Sequence, residues 1–144
     1  MTGIFTGSFD PYTVGHDDIL RRALPLFDRI VIGIGVNERK SYMQNAEERL
    51  KTINAIYADE PKVEVKTYSD LTIDFARREN ARFIIKGVRS VKDFEYERDQ
   101  ADINRQLSGI ETLLLYADPR YSAVSSSMVR ELIHFGQDVS HFLP

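Results

Sequence analysis

A doubly wound α/β fold, five parallel strands covered by helices on both faces, is what this sequence predicts. Three observations lead to it. Short apolar runs recur at Ile4–Thr6, Ile30–Val36, Val63–Thr67, Arg82–Lys86 and Thr112–Tyr116, each bounded by turn residues or charge. Between them lie longer stretches whose apolar residues are spaced by three and four, the period of a helix with one buried face. The two kinds of segment alternate along the chain, which argues for parallel strands joined by helical crossovers. Right-handed crossovers make this a Rossmann-like sheet, with ligands lying beyond the carboxyl ends of the strands near the point where strand order reverses.

Each element has its own local justification. The first strand runs straight into Gly7-Ser8-Phe9-Asp10-Pro11-Tyr12-Thr13-Val14-Gly15-His16. This reads as a tight turn built by Gly7 and Pro11, then a helix from about Val14 with Gly15 and His16 in its first turn. The second strand ends at the loop Asn37–Lys40. Asn45 then caps a helix with Glu48 at the third position, turning Leu50, Ile53, Ala55 and Ile56 inward. The third strand leads through Ser69–Thr72 to a helix from about Leu71 to Glu79, for which Asp70 by itself reads as the N-cap. The fourth gives way to Gly87–Arg89, after which Ser90 and Asp93 cap the helix that carries Phe94, Ala101 and Leu107. The fifth opens into Tyr121–Ser127, and a last helix begun near Ser127 ends at Gly136, a residue suited to a helix terminus. These five loops fall at one rim.

Composition narrows the function. The chain has 144 residues and a net charge of −3 without a long basic block, so broad affinity for nucleic acid is not expected and an anionic ligand must be met locally. With no cysteine, disulfides, thiolate metal sites and cysteine nucleophiles are excluded. His134 and His141 lack partners at metal-ligand spacing and read as structural. No segment reaches the ~20 apolar residues that span a bilayer, and residues 1–20 hold Asp10, Pro11, Asp17 and Asp18 instead of an apolar leader core. One cytoplasmic domain spanning 1–144, with no membrane partner, is the expectation.

The turn after the first strand outlines a phosphate site. The first N–H groups of a helix have no internal partner and lie at the positive end of its dipole; the His16 imidazole adds a directed donor and Ser8 a hydroxyl from the opposite side. Ser125-Ser126-Ser127 form a second such place, since one helix cap needs only one serine. Lys40 closes a loop where a lysine is ordinarily just solvated; its position at the rim raises it above that reading.

The sequence Thr13-Val14-Gly15-His16 after GSFDP resembles the TxGH form of the HxGH signature of nucleotidylyltransferases. Lys86-Gly87-Val88-Arg89 with Asp93-Phe94-Glu95-Tyr96-Glu97, and Val124 to Arg130, are similar to the RG(L/V)R…DFEYE and ISSSxxR segments of the bacterial phosphopantetheine adenylyltransferases. The likeness runs from Ile4 to the closing His141-Phe142-Leu143-Pro144. It implies transfer of AMP from ATP to phosphopantetheine, giving dephospho-coenzyme A and pyrophosphate. Such a reaction needs donors and cations from several loops and no covalent enzyme intermediate.

The resemblance also implies roles. His16 belongs to the α-phosphate, Ser8 to both acceptor phosphate and nucleotide, and Lys40 to the attacking phosphate. Phe9 packs beneath the turn and offers its N–H. Lys86 stands where relatives generally carry arginine; it keeps the charge and loses the planar fork. Arg89 takes the triphosphate tail, with Gly87 and Val88 beside ATP. Gly87 itself serves a close backbone approach or a turn. Glu97 comes near ATP through ribose or water, and Tyr121 flanks the adenine. Ser122, Ala123 and Val124 belong to the same ATP loop, and Ser125, Ser126 and Ser127 to the β- and γ-phosphates. Arg130 reaches back to the phosphates or lies in an ion pair. Thr72, with Asp70 and Leu71, holds the pantetheine arm. Mg²⁺ bound chiefly by the triphosphate, a homohexamer and feedback by coenzyme A complete what the family implies. The rivals are a related enzyme using nicotinamide mononucleotide or a phospho-alcohol, and a nucleotide sensor without turnover.

Overall fold

The computed structural model describes all 144 residues. Strands β1 (Thr2–Gly7), β2 (Arg29–Gly35), β3 (Val63–Tyr68), β4 (Phe83–Val88) and β5 (Glu111–Tyr116) form one all-parallel sheet in the order β3-β2-β1-β4-β5. Helices α1 (Val14–Ala23), α2 (Ala46–Ile56), α3 (Thr72–Arg78), α4 (Val91–Ser108) and α5 (Ser126–His134) follow the strands in turn. The expected α/β architecture is therefore present, with strand order reversing between β1 and β4.

Register explains how the sheet divides the core. Ile4 pairs with Val31 and Ile84, while the next residue, Phe5, pairs with Ile32 and Ile85. Alternate side chains leave opposite faces of a pleated sheet. Ile4, Val31 and Ile84 thus meet Phe75 and Ala76 of α3. Phe5, Ile32 and Ile85 meet Ile19 and Leu20 of α1 and Ile53 of α2. Each such side chain contributes roughly 1.5–3 kcal/mol when fully buried. Gly33 has a packing reason: a Cβ there would come within 2.4 Å of the Phe75 ring, which stacks on Tyr68 with centroids 4.6 Å apart.

Thr13, Asn45, Ser90 and Ser125 cap α1, α2, α4 and α5, each side chain accepting an N–H from three residues on. Only α1 returns the bond from the third side chain, and that side chain is a histidine. Asp93 turns instead to the Arg89 N–H and guanidinium. Asp70 does not cap α3. Leu71 holds that position without a side-chain bond, and the Asp70 carboxylate pairs with the fork of Arg78 at 2.5 and 3.1 Å. In α2 Ile53 is inward and Leu50 and Ile56 are half-buried, but Ala55 faces solvent. The buried stripe runs through Arg49, Ile53 and Tyr57, one residue per turn, so an arginine occupies a core position. α4 buries no residue at all; Phe94 and Leu107 are exposed.

Candidate active site

The turn between β1 and α1 is held from several directions. Phe9 adopts a left-handed backbone with φ of 50° and buries its ring beneath the turn. The Asp10 carboxylate accepts the N–H groups of Met43 and Gln44 at 2.7 and 2.9 Å. From α5, Arg130 donates to the Asp10 carbonyl at 2.8 Å, and the Ser126 hydroxyl to the Pro11 carbonyl at 2.8 Å. A non-glycine residue at positive φ is sustained only where its surroundings over-determine it. Here two separate segments, the loop at Met43 and Gln44 and helix α5, do so.

His16 is fixed as a donor. The Thr13 N–H gives its hydrogen bond to Nδ1 at 2.9 Å, which assigns the proton of the neutral ring to Nε2. Burial, then the charges of Arg89 and Lys86, push its pKa down to about 4. The ring stacks on Tyr12 at 5.2 Å and meets Phe9 edge-on at 5.0 Å. Tyr12 is anchored in turn: its hydroxyl lies 2.6 Å from that of Tyr57, and Tyr57 donates to Asp17 at 2.6 Å. The Tyr57 proton is committed to a carboxylate, so Tyr12 is the donor between the two phenols. Burial raises both phenols far above their usual range, leaving the chain neutral up to Asp17, which Arg21 pairs at 2.9 Å.

Two large hollows open at the carboxyl ends of the strands. One, of about 670 Å³, is lined by His16, Arg89 and the three serines among others, so segments more than a hundred residues apart do meet. A wider one, of about 1010 Å³, holds Thr72. Ser8, Lys40 and Lys86 line both. Lys86 also borders a third, of about 220 Å³, beneath α4 together with Thr72, Asn104 and Thr112. The Lys40 ammonium lies 3.5 Å from the Ser8 hydroxyl, and that of Lys86 3.3 Å from the Thr6 carbonyl. Lys92 and Arg130 add to the positive lining of the first hollow. Its carboxylates are Asp93 and Glu97, and Arg89 pairs Asp93 at 3.2 Å. A chain of net charge −3 thus concentrates cations at one rim.

The serine trio is less free than three open hydroxyls. Ser125 accepts the Met128 N–H as cap, Ser126 is spent on Pro11, and Ser127 accepts from Arg130 at 3.2 Å. What remains for an anion is the amides at the start of α5 and the O–H protons of Ser125 and Ser127, whose oxygens only accept in these bonds. Arg130 makes no ion pair; it serves the turn. Tyr121 and Val124 line the first hollow, Tyr121 beside Gly15. Ser122 and Ala123 lie outside it on the exposed loop, and Val88 is buried within β4 away from it. Gly87 lies within β4 and forms no turn; a Cβ there would meet Ile19 at 2.9 Å, so the glycine lets α1 settle close to the sheet. Tyr12, Tyr57, Asp17 and Arg49 were not legible as site residues. The spacing of Thr13 and His16 carried the cap signal, but with histidine where Glu or Gln is usual.

Comparison with known proteins agrees with the geometry. The family model described as cytidylyltransferase-like matches residues 4–132. Phosphopantetheine adenylyltransferase of Phocaeicola vulgatus is 52% identical over 141 residues, 98% of this chain and 93% of that one. The enzymes of the same name from Bacteroides fragilis and Porphyromonas gingivalis are 51% and 53% identical, again across 98% of this chain and 94% and 92% of theirs.

Proposed function

The chain belongs to the phosphopantetheine adenylyltransferase family, and we propose that it transfers the adenylyl group of ATP to phosphopantetheine, forming dephospho-coenzyme A and pyrophosphate in coenzyme A biosynthesis. The observation that carries this reading is the meeting of two hollows at Ser8, Lys40 and Lys86. A transfer between two phosphorylated substrates needs such a junction, with cations shared between donor and acceptor.

In this reading the triphosphate lies across the amino ends of α1 and α5. The acceptor phosphate, held by Ser8, Lys40 and Lys86, presents an oxygen in line with the α-phosphorus. As the new P–O bond forms, the bond to the bridging oxygen breaks and pyrophosphate leaves with the electron pair. The attacking phosphate is already an anion, so no base is needed. That suits His16, whose Nδ1 is occupied and whose Nε2 carries a proton. Its role is donation to the α-phosphate as charge builds there. Arg89 and the amides of Ser126 and Ser127 receive the leaving group. Phe9 and Gly87 shape the floor, Tyr121 flanks adenine, and Glu97 reaches toward ribose. The acceptor arm runs past Thr72 into the polar hollow that Asn104 lines.

Magnesium belongs to the proposal as an ion that would come in with the triphosphate and would supply neutralisation of its charge. Glu97, the lining carboxylate without an ion-pair partner, would be the side chain able to face such an ion. A homohexamer is supported by the exposed apolar side chains of α4. Feedback by coenzyme A follows from its sharing both ends of the product. A cytoplasmic location goes with these substrates; no helix is long and apolar enough to cross a membrane.

Pyrophosphate release, with ATP and in parallel phosphopantetheine, nicotinamide mononucleotide or glycerol phosphate, tests the reading. The highest kcat/KM is expected with phosphopantetheine. Release fastest with another acceptor overturns the substrate, and binding of ATP without release in any tube overturns the enzyme.

A further inference from the structure

Arg49 carries a full charge at 1% exposure, and its hydrogen bonds run only to backbone carbonyls. A buried guanidinium without an acid is costly, and a core position on α2 could be filled by an apolar side chain of similar volume. Its partners show what the charge does there. Nη1 donates to the Ser8 carbonyl at 2.6 Å and the Gly35 carbonyl at 3.3 Å, and Nε reaches the Asn45 carbonyl at 3.4 Å. Nη2 has no partner. The guanidinium lies over the Tyr42 ring at 4.0 Å, while the Tyr42 hydroxyl accepts the Asn37 N–H at 2.9 Å and approaches the Gly35 carbonyl at 3.5 Å.

Ser8 follows β1, Gly35 ends β2, and Asn37 and Tyr42 bracket the loop that bears Lys40. Arg49 therefore clamps two loops from beneath, and these are the loops whose tips bring the Lys40 ammonium to 3.5 Å from the Ser8 hydroxyl. We infer that Arg49 is a positioning residue for the acceptor phosphate: it sets the separation of Ser8 and Lys40, and its uncompensated charge behind them finds its counter-ion in the phosphate that binds in front. This rests on the function proposed above. The coupling is weighted to the acceptor, because the clamp holds the Ser8 and Lys40 loops and makes no hydrogen bond to His16, Arg89 or the serines of α5; Ser8, which also lines the hollow proposed for ATP, passes on a smaller part.

The test is steady-state kinetics on Arg49→Lys and Arg49→Met, varying ATP and phosphopantetheine separately. Arg49→Lys is expected to raise the KM for phosphopantetheine about tenfold and the KM for ATP by a clearly smaller factor, since the bonds lost to a charged donor hold Ser8 and the Lys40 loop and none holds His16, Arg89 or α5. Arg49→Met should be worse than Arg49→Lys and should lower kcat as well. Titration of phosphopantetheine into the protein without ATP should weaken in the same order. If the Arg49 variants do not fold, Tyr42→Leu, which removes the aromatic face beneath the guanidinium, should show the same split. Equal increases in both KM values, or a lowered melting temperature with unchanged kinetics, overturn the assignment. Wild-type protein inactive on phosphopantetheine overturns the proposed function itself, a result that the variants cannot mimic.

Discussion

A histidine whose Nδ1 already accepts a backbone N–H has one nitrogen left, and in His16 that nitrogen is a donor. Replacing it by alanine should lower turnover about 10²-fold or more, the usual loss when one preorganised donor to a developing charge is removed. The melting temperature should stay close to that of the wild type. Activity equal to wild type would refute the role. The depressed pKa has a second consequence. Between about 4 and the ordinary value of 6.5, the unfolded chain takes up a proton that the native ring refuses. Stability from this group is complete above the upper limit and is lost as pH falls toward the lower one. Denaturant titrations through that window should show a slope that His16→Ala lacks. His16 stood out in a four-residue motif; that Thr13 holds its Nδ1 is seen only in the structure. The tyrosines behind it were not legible, because Tyr12 and Tyr57 lie on different elements and no local pattern links them.

At the scale of elements, packing decides how accurately the rim is built. Gly33 leaves room for the flat stack of Phe75 on Tyr68, and the atom that a side chain would strike is part of a ring wedged against the sheet. Gly33→Ala should therefore cost roughly 1–3 kcal/mol, the range for overpacking a filled core. Thermal unfolding should show the loss, while kcat at low temperature stays near wild type because α3 bears no phosphate ligand. An unchanged melting temperature would mean that Phe75 moves aside freely. Helix starts were readable because a cap is a short-range bond: Asn45, Ser90 and Ser125 cap as their spacing indicates. Asp70 shows the limit. A cap and an ion pair compete for one carboxylate, and Arg78, at the far end of the same short helix, wins it.

Across the whole molecule, α4 is the anomaly. Eighteen residues long, it buries none of them, and Tyr96, Ile103 and Leu107 are more than half exposed. Exposed apolar side chains such as Ile103 and Leu107 on a helix that buries nothing are what an oligomer covers. In the proposed hexamer, Ile103→Glu and Leu107→Glu should shift the sedimentation coefficient toward that of a monomer while leaving the circular dichroism of the subunit intact. Variants that sediment like the wild type would remove α4 from the interface.

By itself the sequence determined the five strands, their intervening helices and where the helices after β1 and β5 begin, because period, cap and turn chemistry act over a few residues. The tertiary structure alone decided which side of α2 faces inward, that Arg49 is buried without an acid, that Ser126 is spent on the Pro11 carbonyl, and that Lys86 stands where three hollows meet. Those outcomes depend on which distant groups come within hydrogen-bond reach once the sheet has closed, a matter of distances that no local pattern encodes.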